Sequence, residues 1–257
     1  MPKVSTSRPG ARTRRARAGS ARAAPKPSSL LAPRSALLAK LGIRSELDLV
    51  LHLPLRYEDE TSLTPIGQAR EGGAVQVEGE VLTCDVAYRP RRQLVVKLRD
   101  ASGLLYMRFL NFYPSQQKSL APGARVRAFG EVRPGFFGGE MVHPRYRVLR
   151  GAEPLPDALT PVYPTTAGLS QQALRRMIDD ALASTDLSDT LLEPTRARLG
   201  LAGFAESVRL LHHPQPDTHA AGLLERTHPA WQRVKFDELL GQQLSMRAHY
   251  RARSRES

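Results

Sequence analysis

Apolar residues between Ser29 and Leu53 recur at three- and four-residue steps, through Leu30, Leu31, Leu37, Leu38, Leu41, Ile43, Leu47, Val50 and Leu51. That is the period of an amphipathic helix. Gly42 ends one helix and Ser45 caps a second, with Asp48 in the capping-box position and Pro54 as the stop. The period then changes. Val75, Val77, Gly79, Val81 and Thr83 alternate with polar neighbours, as do Leu94, Val96 and Leu98, and runs at 104–112, 125–132 and 141–148 follow. Gly, Pro, Asp or Ser bound most of these runs, so the pattern predicts a five-strand meander. The longest break, Pro114 to Gly123, includes Ser115–Leu120, enough for one or two helical turns. Five strands with a helix between the third and fourth is the layout of an OB-fold, a small Greek-key barrel. The strands of a sandwich would give a similar string.

Beyond the strands, Pro154, Pro156, Pro161 and Pro164 predict an extended linker, because each proline biases its predecessor away from helix. Helical period returns at 170–185, with Ser170 as cap, then at 187–201 with a break at Pro194, at 204–211, and at 229–251. The expected class is therefore α+β: a five-stranded OB-fold β-barrel flanked by N-terminal and C-terminal α-helical segments. The expected parse is a disordered basic tail (1–28), a helical segment (29–64), the barrel (65–150), a Pro-rich linker (151–166) and a second helical segment (167–257).

Composition adds a partner class. The chain of 257 residues carries 38 Lys plus Arg against 25 Asp plus Glu, a formal charge of +13. Such an excess favours an anionic partner, nucleic acid first. Residues 1–27 hold Lys3, Arg8, Arg12, Arg14, Arg15, Arg17, Arg22 and Lys26 with no carboxylate and almost no large aliphatic. Such a segment cannot offset its ordering entropy, and reads as a solvated basic tail that can touch phosphates without sequence preference. A single Cys excludes an intrachain disulfide framework and a Cys-rich zinc site. No apolar run is long enough to span a bilayer, and no apolar stretch follows the basic N-terminus as in a secretory signal.

Catalytic signatures are missing from the sequence. There is no phosphate-cradling Gly-x-x-x-x-Gly-Lys-Ser/Thr, no His-Glu-x-x-His, no Cys-x-x-Cys and no Gly-x-Ser-x-Gly. His212 and His213 are adjacent and make a poor chelate. Glu58-Asp59-Glu60 reads as a solvated turn, and Cys84 as a small structural residue.

Binding is what the strands and loops offer. OB-folds bind through their second and third strands and the loops after the first and fourth. Here the first loop reads Tyr88-Arg89-Pro90-Arg91-Arg92. Lys97 lies on the second strand. The third strand ends Arg108-Phe109-Leu110-Asn111-Phe112-Tyr113, and the last connection reads Arg133-Pro134-Gly135-Phe136-Phe137-Gly138-Gly139. Guanidiniums would hold phosphates and rings would stack on unpaired bases. Phe109 and Tyr113 share parity, so a regular strand would project both to one side, flanking a point where a duplex splits. Phe109 is equally readable as barrel core, whereas Tyr113, before Pro114 at a strand end, is expected to be exposed. The candidate DNA-binding residues are thus Arg89, Arg91, Arg92, Lys97, Arg108, Phe109, Asn111, Phe112, Tyr113, Arg133, Phe136 and Phe137.

Four colinear strings, Leu-His-Leu-Pro-Leu-Arg-Tyr-Glu-Asp (51–59), Met-Arg-Phe-Leu-Asn-Phe (107–112), Gly-Glu-Met-Val-His-Pro-Arg-Tyr (139–146) and Thr-Pro-Val-Tyr-Pro-Thr-Thr (160–166), resemble the N-terminal part of the bacterial RecG helicase family. The resemblance runs from about Leu37 to the C-terminus. It implies a wedge domain, an OB-fold seated at a branched DNA junction. In the family, two motor domains follow and hydrolyse ATP, with magnesium, to drive fork reversal and Holliday-junction branch migration in repair and recombination. By the same resemblance Phe109 and Tyr113 occupy the positions of rings that stack on splayed strands. Leu110 departs from the Phe usual at its position. The expectation is a monomeric module of the bacterial cytoplasm that binds branched DNA and single strands at forks, with no cofactor of its own and without the motor. The alternative is a general single-stranded DNA- or RNA-binding OB module.

Overall fold

A computed structural model describes residues 35–89, 91–136, 138–218 and 220–256. The expected basic tail lies outside these residues, as do Pro90 and Phe137. Among the described residues no helix is long and apolar enough to cross a membrane.

The alternating segments form a seven-stranded sheet that curls into the expected barrel. β2 (Ala74–Ala87) pairs antiparallel along its first half with β5 (Arg125–Glu131) and along its second half with β3 (Gln93–Arg99). The switch of partner falls at Gly79 and Glu80. A Cβ on Gly79 would sit 2.6 Å from the Arg99 carbonyl oxygen, so only glycine lets the strands approach at this bend. β3 pairs with β4 (Leu104–Phe109). The predicted fifth strand is split. β7 (Gly138–Val142) runs parallel to β4, and β8 (Arg145–Leu149) runs antiparallel to β5, which closes the barrel. The split falls at His143, whose φ of 51° is uncommon for a residue with a side chain, and at Pro144, which cannot donate to a ladder. A short β6 (Arg133–Gly135) forms a hairpin with β7. α3 (Pro114–Ser119) lies between the third and fourth barrel strands, as its sequence predicts. Inward positions Val77, Val81, Leu94, Val96, Leu98, Leu105, Met107, Phe109, Val126 and Met141, with Leu120 after α3, fill the interior.

The two helical segments that flank the barrel in sequence pack together as one layer. α1 (Ser35–Lys40), the turn after it and α2 (Glu46–Val50) pack Leu38, Ile43, Leu49 and Val50 against Leu174, Ile178 and Ala181 of α4 (Gln171–Ser184) and Val208 of α6 (Phe204–His212). The capping box at Ser45 is present. The Asp48 amide donates to Ser45 Oγ at 3.1 Å and Asp48 accepts from the Ser45 amide at 2.9 Å. Part of the Pro-rich stretch is a strand, not a linker. β9 (Thr160–Val162) is buried and pairs antiparallel with β1 (Arg56–Glu58). A two-stranded ribbon tolerates Pro161 because no third strand needs its missing donor. Pro194 does not break a helix but lies in the first turn of α5 (Glu193–Arg198), where its missing N–H costs nothing.

Two buried polar groups tie this layer together. His212 is fully buried. Its Nε2 faces the Val50 carbonyl at 2.7 Å, which can only accept, so Nε2 carries the proton and Nδ1 accepts from the Tyr163 hydroxyl at 2.8 Å. Burial pushes the imidazolium down to about 4, so the ring is neutral near pH 7. Arg233, on the long α7 (Pro229–Glu256), is fully buried and grips Asp189 with two parallel bonds of 2.8 and 2.7 Å, Asp237 at 2.9 Å and the Ala202 carbonyl at 2.7 Å. This fork anchors the helix to the segment ahead of α5.

Glu58 and Glu60 correct the sequence reading of a solvated turn. Both accept from Arg145 on β8 and so tether the β1 ribbon to the barrel. Arg127 on β5 completes the joint, with bonds to Glu78 and to the Glu153 and Pro154 carbonyls.

Candidate nucleic-acid interface

The geometry divides the predicted residues between the two ends of β4. At its C-terminal end the loop after β2 and the segment after β4 meet. Tyr88 is 72% exposed, and Arg89, Arg91 and Arg92 are exposed beside it. Gln93, buried at the start of β3, donates from Nε2 to the Arg89 carbonyl at 3.2 Å and closes the loop. Among the described residues no carboxylate pairs with these three arginines. The Arg92 guanidinium lies 4.5 Å from the centre of the Phe112 ring, which joins the two segments by a cation–π contact. Tyr113 is 75% exposed, and Asn111 is exposed next to it.

The backbone under Tyr113 is fixed while its ring is free. The Tyr113 amide donates to Gln116 Oε1 at 3.1 Å, and Pro114 opens α3 at the position that suits it. His143 holds the other side. Its amide donates to the Arg108 carbonyl at 2.8 Å, and its Nε2 accepts from the Leu110 amide at 3.2 Å. That bond lies just past the end of β4 at Phe109, where the regular ladder stops.

Phe109 is where the expectation fails. It is 3% exposed and packs edge-on against Tyr146 and His143, with ring centres 5.5 and 6.0 Å apart. The reason is strand parity. Leu105, Met107 and Phe109 share the inward face, while Tyr106 and Arg108 face out. The strand does not stay regular to Tyr113, so the two rings do not project to one side. Phe109 is core and Tyr113 is surface.

The outer face of β3, β4 and β7 carries the remaining strand candidates. Lys97 lies 5.9 Å from the centre of the Tyr106 ring, opposite it in the ladder. Tyr106 is a surface-facing aromatic that the sequence reading passed over, although its alternation with Leu105 and Met107 gave the signal. Arg108 is less available than expected, because Glu140 holds it at 2.6 Å. Arg133 is likewise paired, with Glu131 at 2.8 Å.

Phe136 is 88% exposed at the tip of the β6–β7 hairpin. The parallel register places Tyr106 beside Glu140, so the tip lies beyond Leu104 at the opposite end of β4 from Tyr113. The strand alone separates the two ends by about 17 Å at roughly 3.3 Å per residue. The glycine loop and the arginine loop therefore do not form one cluster. They bracket a face that carries Lys97 and Tyr106, the surface that OB-folds use for single strands.

Among the described residues no group of three or more His, Cys, Asp and Glu could hold a metal. The exposed rings and unpaired guanidiniums suit stacking and phosphate contact.

Comparison with known proteins assigns the chain to a family. The model of the RecG wedge domain matches residues 29–185. The ATP-dependent DNA helicase RecG of Escherichia coli (strain K12) is 45% identical over 217 residues, 82% of this chain and 31% of that protein. The protein of the same name from Pasteurella multocida (strain Pm70) is 42% identical over 212 residues, 81% of this chain and 31% of that one. A solved structure of RecG bound to a three-way DNA junction shares the fold, with a TM-score of 0.64 at 22% identity, covering 92% of this chain and 33% of that chain. The chain thus spans about a third of the length of the curated relatives it matches. With the barrel and the matched span in agreement, the chain belongs to the RecG wedge domain family.

Proposed function

We propose that this chain is a branched-DNA-binding wedge, which seats the barrel where paired strands diverge and stacks the Tyr113 ring on the first unpaired base. The observation that carries this reading is an exposed ring on a fixed backbone. Tyr113 is 75% exposed, with its amide held by Gln116 and the adjoining Phe112 clasped by Arg92. The fixed backbone leaves only the side-chain torsions of Tyr113 to be ordered on binding. Tyr88, Arg89 and Arg91 supply the neighbouring stacking surface and phosphate contacts, and Lys97 with Tyr106 continues the track across the barrel face.

Energetics limit what such a wedge does alone. Stacking one base on a ring contributes about 1–3 kcal/mol, close to the roughly 1.4 kcal/mol of a DNA base-pair step. The module can hold a junction open by about one step but cannot drive strand separation. In this reading ATP and magnesium act through sequence that the relatives carry beyond the matched third, and fork reversal and branch migration belong to that larger assembly. We place the module in the bacterial cytoplasm as a monomer that engages branched DNA and the single strands at forks.

The test is a competition. A three-way junction should displace the protein from a linear duplex with the same number of phosphates, while single-stranded DNA and structured RNA compete less well. Equal competition by RNA or plain single strands would make the chain a general single-strand binder instead.

A further inference from the structure

β4 and β7 run parallel with Arg108 opposite Val142, so Phe109 and His143 are next in line. In a regular parallel ladder His143 would give its amide to the Arg108 carbonyl and take the Leu110 amide on its own carbonyl. The backbone makes only the first of these bonds, at 2.8 Å. The side chain makes the second, since the Leu110 amide donates to His143 Nε2 at 3.2 Å. The imidazole takes the place of a carbonyl.

The backbone conformation accounts for the exchange. His143 has a φ of 51° and stands before Pro144. Left-handed backbone is costly for a residue with a side chain, and a residue before proline is normally extended. The bend persists because both sides of it are bound elsewhere, Met141 in the barrel core and Arg145 to Glu58 and Glu60. Backbone strain held in this way gathers at functional positions. Here the bend carries the chain from β7 to β8, and the ring supplies the bond that the bend takes from the ladder. Phe109 meets the ring edge-on, with centres 6.0 Å apart.

Leu110 to Tyr113 is a span of four residues with a side-chain acceptor at each end, His143 for the Leu110 amide and Gln116 for the Tyr113 amide. Arg92 lies over Phe112 between them. Gln116 sits in the next turn and fixes only local geometry, and Arg92 reaches from a loop. Of the three, His143 alone gives its own amide to β4, at Arg108. We propose that His143 is a positioning residue for junction recognition. Its ring fixes Leu110 against the barrel, and so sets where the Tyr113 ring meets the first unpaired base.

The inference rests on the wedge reading, and a set of variants separates the two. His143 is exposed, so replacing it opens no cavity in the core. His143→Asn puts an oxygen where the ring has Nδ1, short of Leu110, and tolerates left-handed backbone. His143→Gln reaches as far as Nε2 and can accept. The full chain and its variants would be titrated with a three-way junction and with a linear duplex, once urea unfolding shows each to be folded. His143→Asn should lose about fivefold of the preference for the junction, the scale of one hydrogen bond, with duplex affinity unchanged. His143→Gln should keep most of that preference. In a Tyr113→Ala background His143→Asn should cost nothing more, because the ring that it positions is gone. Should His143→Asn unfold, His143→Gly, which suits a positive φ, carries the same test. A folded variant without the acceptor that keeps the full preference overturns the positioning role. So does a His143→Gln variant that loses as much as His143→Asn, or an equal loss with and without the Tyr113 ring. A parent chain with no preference for the junction, or a Tyr113→Ala chain that keeps it, would instead overturn the wedge reading.

Discussion

Replacing Phe109 with alanine should unfold the barrel rather than blunt its surface. The ring is 3% exposed and makes edge contacts with Tyr146 and His143. Truncating such a ring in a closed core costs about 3–5 kcal/mol, a large share of the roughly 5–15 kcal/mol that holds a domain together. Tyr113→Ala, at 75% exposure, should change stability by no more than about 0.5 kcal/mol. The contrast is read in urea, by far-UV circular dichroism, with both variants beside the parent chain. The midpoint should fall sharply for Phe109→Ala and stay in place for Tyr113→Ala, with the slope unchanged in both. Junction affinity, measured where each variant is folded, should fall through direct contact only for Tyr113→Ala. Loss at Phe109→Ala should follow its loss of folded protein. A Phe109→Ala protein of parental stability that no longer binds junctions would show that the ring is presented to DNA, and would refute the assignment made from strand parity.

Other outcomes follow from the same contacts. Arg91→Gln with Arg92→Gln should lower the dependence of log affinity on log salt by about 2 on duplex and junction alike, a change of slope read by titration at several salt concentrations. Loss of junction preference at constant slope would mean that these side chains contact no phosphates. His212 is held neutral by burial with its value pushed down to about 4, so the unfolded chain takes up its proton first as the pH falls. Its share of stability is complete above about pH 6.5 and is lost between there and pH 4, up to about 3 kcal/mol. Urea midpoints across that window should show the decline, and His212→Gln should flatten it. Arg233→Met should cost about 3–5 kcal/mol because it strands Asp189, and Arg233→Lys should not restore the loss, since an ammonium cannot make the paired bonds to Asp189.

Local signals in the sequence carried far, and long-range ones did not. The Ser45–Asp48 capping box was legible because both partners lie within one turn. The strands were legible because alternation reports a half-buried sheet wherever it occurs. Phe109 was open to two readings, and parity taken from Tyr113 pointed the wrong way. Parity taken from Leu105 and Met107 places the ring inside. What separates Phe109 from Tyr113 is the bond from the Leu110 amide to His143, across 33 positions of sequence. The tether from Arg145 to Glu58 and Glu60 spans a still greater distance, so no window of sequence could reveal that this acidic cluster is structural. The split in the last strand has the same character. His143-Pro144 reads locally as a strand blemish and acts as the joint that lets one segment close a barrel between two neighbours.

The central claim, that a stacked Tyr113 ring recognises the branch point, is tested most directly by a series at that position. The free-energy difference between three-way junction and linear duplex would be measured for Tyr113, Tyr113→Phe and Tyr113→Leu at one salt concentration. The account predicts that phenylalanine keeps the difference and leucine loses about 1–3 kcal/mol of it, with duplex affinity unchanged throughout. A leucine variant that retains the full preference for the junction would contradict it.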